Sequence, residues 1–258
     1  MAVSMGKPLV IWEHGEHIGN LNSFDFVNDL IYSTHFLTFG HTVKKKYARH
    51  IGSNYLKEVF AVGSTKRNIV RQKNEIILYA TGKWQYSRIP FINAIDQDTR
   101  LYNSQKKILS YLSEIGCEHK VTFKANNTPG FNEIPFDCQN IHVDKTSPFT
   151  KCLQKAKLVI LDAPGTTLIE AVSTDVPLFI LSGRVPWSES TIEILKKRAV
   201  VVDSVEELIL HLRTYIKEGT YPGDVNDKEF LKAYGSIQSI SEAKINTLSV
   251  MDQVFVSK

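Results

Sequence analysis

Between Glu75 and Tyr215 short apolar runs alternate with stretches of helical periodicity, and that alternation leaves the chain few architectures. The runs are Glu75 to Ala80, Lys120 to Phe123, Ile141 to Val143, Leu158 to Leu161 and Pro177 to Leu181. Their length and apolar continuity are those of strands buried on both faces. Between the first two, Ile108, Leu109, Leu112 and Ile115 recur at the spacing of one helix face, predicting a helix over 103–115. Further helices read over Pro148 to Ala156 and Thr166 to Ser173. Strands joined in this way pair in parallel through right-handed crossovers. The predicted fold is therefore α/β, a doubly wound parallel sheet of Rossmann-like type over residues 75–215.

The flanks are less regular. Residues 1–74 hold three strand-like runs, Pro8 to Trp12, Leu30 to Phe39 and Val59 to Val62, and a basic helical stretch around Lys44 to Tyr47. They read as the end of an N-terminal domain and a link, most of that domain being expected outside the chain. Residues 216–258 read as a helical tail opened by the turn Pro222-Gly-Asp224.

Of the 258 residues, 43% are hydrophobic, enough for a sizeable core, and the formal net charge of +4 fits an anionic ligand or a membrane surface. The charge excess is too small to name a nucleic acid, and none is expected as a partner. The cysteines, Cys117, Cys138 and Cys152, are odd in number and lack metal-type spacing, which favours a reducing cytoplasm. No apolar run approaches the roughly 18 to 20 residues that cross a bilayer, and no signal-peptide pattern is present, so membrane association is expected to be peripheral.

The most informative segment is Leu158-Val-Ile-Leu-Asp-Ala-Pro-Gly-Thr-Thr-Leu-Ile-Glu-Ala171, an apolar strand that turns through Pro164 and Gly165 into a helix opened by Thr166 and Thr167. Unpaired N–H groups and the helix dipole at such a start attract phosphate, and Gly165 lets an anion approach the backbone. Glu170 lies one turn further on, where a carboxylate can accept both hydroxyls of a ribose. An ordinary helix cap explains the same threonines and glutamate, and both readings stay open. Thr81, Gly82 and Lys83 follow the first strand of the predicted sheet, at the edge where doubly wound folds bind ligands, and Lys83 can neutralise phosphate. Lys124, His142 and Ser147 are placed by the sequence at the same edge, either as ligand contacts or as solvated strand ends.

Asp162-Ala-Pro-Gly-Thr-Thr-Leu-Ile-Glu-Ala171 followed by Asp175-Val-Pro-Leu-Phe179 resembles the signature of GT-B glycosyltransferases, in which a small-residue turn opens a helix bearing a Glu and a Gly-x-Pro-hydrophobic strand follows. Asp175 stands where that pattern has glycine. The segments Leu208 to Tyr215 and Phe230 to Tyr234, and the early strand ending in His14-Gly15, also resemble transferases of bacterial surface-carbohydrate and lipopolysaccharide gene clusters. The resemblance implies that residues 1–74 belong to an acceptor-side domain, that Gly165 to Thr167 hold a mono- or diphosphate, and that Glu170 holds the ribose of a nucleotide sugar. It also implies that His14 reaches the reacting centre as general base or phosphate partner, a task suited to the imidazole pKa. Glu13 and Glu16 share that loop and serve equally as candidates.

A metal site at Glu13, His14, Glu16 and His17 is disfavoured, because the spacing is not that of a helical metalloprotease motif; a plain solvated loop remains an alternative. Asp96-Gln-Asp98 reads as a solvated turn. No cofactor and no metal are expected, since helix amides and lysine can stabilise a leaving phosphate. Arg184 and Trp187 follow the strand ending at Leu181, and Arg184 is a candidate acceptor or donor contact.

The expected function is transfer of a sugar from a nucleotide-activated donor to a glycan or lipid-linked acceptor, in the cytoplasm or at the inner face of the membrane. A CDP-polyol phosphotransferase of the same fold, a nucleotide-sugar epimerase and a non-catalytic nucleotide-binding remnant are the rivals.

Overall fold

The structure is a computed structural model that describes residues 6–13, 30, 32–53, 55–64, 69, 71–72, 74–81, 98–125, 138–162, 164–183 and 187–256. The chain divides into two compact units, one made of Met1–Asn68 with Lys228–Lys258 and the other of Ile69–Asp227.

Among the described residues the larger unit carries six parallel strands, β4 (Ile76–Ala80), β5 (Lys120–Lys124), β6 (Ile141–Asp144), β7 (Ala156–Leu161), β8 (Leu178–Leu181) and β9 (Val200–Val202). Their order across the sheet is β6-β5-β4-β7-β8-β9, with every pairing parallel. The chain builds outward from β4 to β6, returns to β7 beside β4, and builds outward the other way. The strand order thus reverses between β4 and β7, as a doubly wound sheet requires.

Alternate strand residues face opposite layers. Ile77, Tyr79, Val121, Phe123, Leu158, Ile160, Phe179 and Val202 form one core with Ile108, Leu109 and Leu112 of α2 (Asp98–Ile115) and Leu208 and Leu212 of α6 (Val205–Glu218). Each such side chain, fully buried, contributes about 1.5–3 kcal/mol. The other face is covered by α3 (Phe149–Leu153), α4 (Thr166–Val172) and α5 (Glu189–Arg198). Ser204 caps α6 by accepting from the Glu207 N–H at 3.2 Å, and Gly219, left-handed at φ 72°, ends it.

Two connections hold the turn between α4 and β8. The Arg71 guanidinium grips the Asp175 carboxylate through Nε at 2.5 Å and a terminal nitrogen at 2.9 Å, which gives a reason for an acid where the GT-B pattern has glycine. On the other side the fully buried Arg198 donates to the carbonyls of Thr174 at 2.7 Å and Val176 at 2.8 Å.

The smaller unit has a parallel sheet β1-β2-β3, made of Val10–Trp12, His35–Thr38 and Glu58–Ala61. Phe36 packs on Tyr47 of α1 (His41–Tyr47), with ring centroids 5.6 Å apart. Leu37, which points to the opposite face, joins Val62 and, from α8 (Ile240–Phe255), Val250 and Val254. Gly40 permits α7 (Glu229–Tyr234) to lie against α1, since a Cβ there would meet the Ala233 carbonyl oxygen at 2.2 Å.

The boundaries expected at 74/75 and 215/216 fall instead at 68/69 and 227/228. The expected tail of 216–258 is divided between the units, because its last two helices bury their apolar faces against α1 and the first sheet.

Candidate functional site

The crevice of a doubly wound sheet opens outside the carboxyl ends of the two strands flanking the reversal, here β4 and β7. Thr81 follows β4 and is half-buried; Asp162 follows β7 and is fully buried. The Asp162 carboxylate accepts from the Tyr79 hydroxyl at 2.6 Å and from the Thr81 hydroxyl at 2.8 Å. Thr81 accepts in turn from the side-chain amide of Gln105 on α2. A buried carboxylate is costly unless hydrogen-bonded, and this chain of donors satisfies it while tying the loop after β4 to the turn after β7.

That turn leads through Pro164 and Gly165 into α4. Gly165 is the N-cap residue, with φ −138° and ψ −129°, and offers no side-chain cap of its own. Thr166 is exposed, Thr167 half-buried, and Glu170 half-buried one turn on. Thr81, Gly165, Thr166, Thr167 and Glu170 thus belong to the two segments that meet at the reversal. Gly82, Lys83, Arg184, His14 and Glu16 lie outside the described residues, as does His17.

The other predicted contacts diverge. Lys124 ends β5 and turns its ammonium onto the carbonyls of Ala125 at 3.2 Å and Asp144 at 3.3 Å. Ser147 donates its N–H to the Asp144 carboxylate at 2.8 Å, and Thr146 donates to the same oxygen at 2.9 Å. His142 is the second residue of β6, level with Thr122, and not at a strand end as expected. It is exposed and lines, with Lys120, Ser147, Lys151 and Lys155, an open groove of about 830 Å³ that reaches the amino ends of β4 and β5 at Glu75 and His119, away from the reversal.

In that groove burial opposes ionisation of Asp144. The Ser147 backbone and hydroxyl, the Thr146 N–H and the Cys152 thiol outweigh it and hold the carboxyl well below the usual carboxylate range. Burial and the neighbouring Asp144 carboxylate push the Cys152 thiol up to about 11.

In the smaller unit Glu13 directly follows β1. It is buried, and its carboxylate accepts the Phe39 N–H at 2.7 Å, bridging the ends of β1 and β2. Among the described residues no group of three or more His, Cys, Asp or Glu side chains could hold a metal ion. No helix among them is long and apolar enough to cross a membrane.

The model of the LIC12162 transferase family matches residues 1–193. The chain belongs to the LIC12162 family of transferases. No curated protein matches it. Among solved structures this family member is similar to UGT89C1 of Arabidopsis thaliana, at 14% identity and TM-score 0.58 over 98% of this chain and 68% of that one. The wall teichoic acid polymerase TagF is similar at 11% identity and TM-score 0.57, over 96% of this chain and 69% of that one. TarM of S. aureus, solved with UDP, is similar at 9% identity and TM-score 0.53, over 95% of this chain and 51% of that one. The chain spans about half the length of the first structures it matches. The fold is of the GT-B type.

Sequence reasoning missed two features of the carboxyl edge. Asp162 only closes an apolar run in the sequence, and nothing local marks it as the acceptor of a buried network. A second cavity, of about 290 Å³, lies beyond β8 and β9 and is lined by Arg100, Ser104, Lys107, Gly183, Asp203 and Glu206. Its walls come from three segments far apart in sequence, so no motif announces it. A Cβ on Gly183 would meet the Asp203 carbonyl oxygen at 2.9 Å, which keeps that strand end small.

Proposed function

We propose that this chain binds the nucleotide of an activated sugar at the crevice between β4 and β7 and takes part in transferring the sugar to a surface-polysaccharide or lipopolysaccharide acceptor. The observation that carries the reading is the strand-turn-helix Leu161 to Glu170 at the sheet reversal, with glycine at the helix N-cap and a half-buried carboxylate one turn later. Membership of a transferase family and the GT-B fold support it.

In this reading the first-turn amides of α4 and the Thr166 and Thr167 hydroxyls meet the phosphate, and Glu170 accepts the ribose hydroxyls. Lys83 and Arg184 add positive charge to the leaving diphosphate, and His14 takes the acceptor proton. Glu13, directly before His14 in sequence, fixes the end of β1 through the Phe39 N–H. The reaction runs in the cytoplasm at the inner face of the membrane, where a lipid-linked acceptor would reside.

The test is thermal shift and calorimetry of the chain with CMP, CDP, UDP, GDP and dTDP, for the native chain and Glu170→Ala. One nucleotide should raise the melting temperature of the native chain and leave the variant unmoved. The CDP arm also addresses a polyol-phosphate donor, since TagF has been solved with CDPG. Absence of any shift at millimolar nucleotide would overturn the donor-site reading.

A further inference from the structure

We propose that α1 and the turn following it form a docking surface for an anionic lipid bilayer. From His41 to Lys57 the chain carries Lys44, Lys45, Lys46, Arg49 and Lys57 and no aspartate or glutamate. Lys44, Lys45, Arg49 and Lys57 are exposed. Val43 and Tyr47 point into the core, so His41 and Lys45, four residues apart, lie on an outer side of the helix, and exposed Arg49 follows in the tight turn Ala48–His50. The neighbouring α7 adds exposed Lys228 and Lys232 against one acid, Glu229.

Charge alone would describe a solvated helix. The turn adds apolar groups that solvation does not call for. Ile51 is 45% exposed and Tyr55 is 51% exposed, and the backbone that carries them is closed by hydrogen bonds. Gly52 donates to the Leu56 carbonyl at 2.9 Å and Ser53 to the His50 carbonyl at 2.9 Å. Leu56, buried, anchors the turn from below.

A fixed turn thus presents an aliphatic and an aromatic side chain between a basic helix and Lys57. A bilayer interface accommodates all of these at once, with cations at the headgroups and apolar tips below them. A single-stranded nucleic acid, the other polyanion, is held by stacking surfaces, which Ile51 does not offer.

The test is flotation of the full chain with phosphatidylcholine vesicles, with and without phosphatidylglycerol, at low and high salt. The chain should float only with phosphatidylglycerol and be released by salt. Lys44→Ser with Lys45→Ser should weaken partition about thirtyfold, at about fivefold per lysine. Ile51→Ser with Tyr55→Ser should weaken it while leaving its salt dependence unchanged. Lys196→Ser with Lys197→Ser, which removes the same charge from exposed positions on α5, should have no effect.

All the substituted side chains are exposed, and unchanged melting confirms that each variant folds. Failure to float with phosphatidylglycerol at low salt overturns the proposal. So does equal loss in the α5 variant, or RNA binding that outcompetes vesicles and ignores Ile51 and Tyr55. Flotation needs no turnover, so this surface and the transfer reaction can fail independently.

Discussion

The hydroxyl of Tyr79, on β4, donates to the carboxylate of Asp162, at the end of β7, across 2.6 Å of fully buried space. The pair straddles the point where the sheet reverses direction, so the two loops that frame the crevice share one buried acceptor.

Tyr79→Phe should cost about 1.5–3 kcal/mol of unfolding free energy, the worth of a hydrogen bond to a charged group. Asp162→Ala should cost more, about 2–4 kcal/mol, because it strands the hydroxyls of both Tyr79 and Thr81. Urea titrations of the two variants give the ordering; equal stability of Asp162→Ala and the native chain would refute it. If the network also sets the crevice, Asp162→Asn should weaken nucleotide binding more than it lowers stability.

Arg198→Met should destabilise the larger unit by about 3 kcal/mol, since the carbonyls of Thr174 and Val176 lose their buried donor. Burial lowers the Arg198 pKa, the nearby Tyr221 opposes that, and the charge persists at neutral pH. Hydrogen exchange should quicken first in the turn 173–177. Uniform acceleration across the sheet would argue against so local a clamp.

The Arg71 guanidinium bound to Asp175 lowers the pKa of that carboxyl. A folded-state pKa below the unfolded value of about 3.9 means stability present above that value and lost as pH falls through the folded pKa. Asp175 is 58% exposed, so screening limits the effect to about 1 kcal/mol or less. Asp175→Asn should match the native chain in the acid limit and be slightly less stable at pH 7, with the gap narrowing in high salt. A gap that grows below pH 3 would reverse the sign and remove the argument.

Cysteine reactivity offers a separate check. Cys117 is exposed, whereas Cys152 is buried with its thiol pKa pushed up to about 11. Iodoacetamide at pH 8 should label Cys117 within minutes and Cys152 only after denaturation, because the thiolate is the reactive form. Mass-spectrometric mapping of the labelled peptides reads the order directly.

The parallel sheet was legible because its strands are buried on both faces and carry little but apolar residues, as Ile76 to Ala80 and Leu158 to Leu161 show. The turn into Thr166 was legible because its chemistry is local. What escaped was non-local. The helix Glu189–Arg198 hides its attachment in an arginine that reads as a surface charge, and β9 is only three valines behind it. His142 was misplaced by one structural level, because an exposed histidine inside an edge strand looks the same in sequence as one at its end.

The smaller unit is assembled from both ends of the chain, with 69–227 lying between. Translation therefore delivers β1, β2, β3 and α1 long before the helices that cover them. Leu37 and Val62 wait for Val250 and Val254, and α1 waits for α7, until more than 150 further residues have been made. The contiguous unit between them can close while the ribosome is still at work. An early stop near Asp227 should thus spare the domain already made and leave the older, upstream one unfinished and prey to proteases.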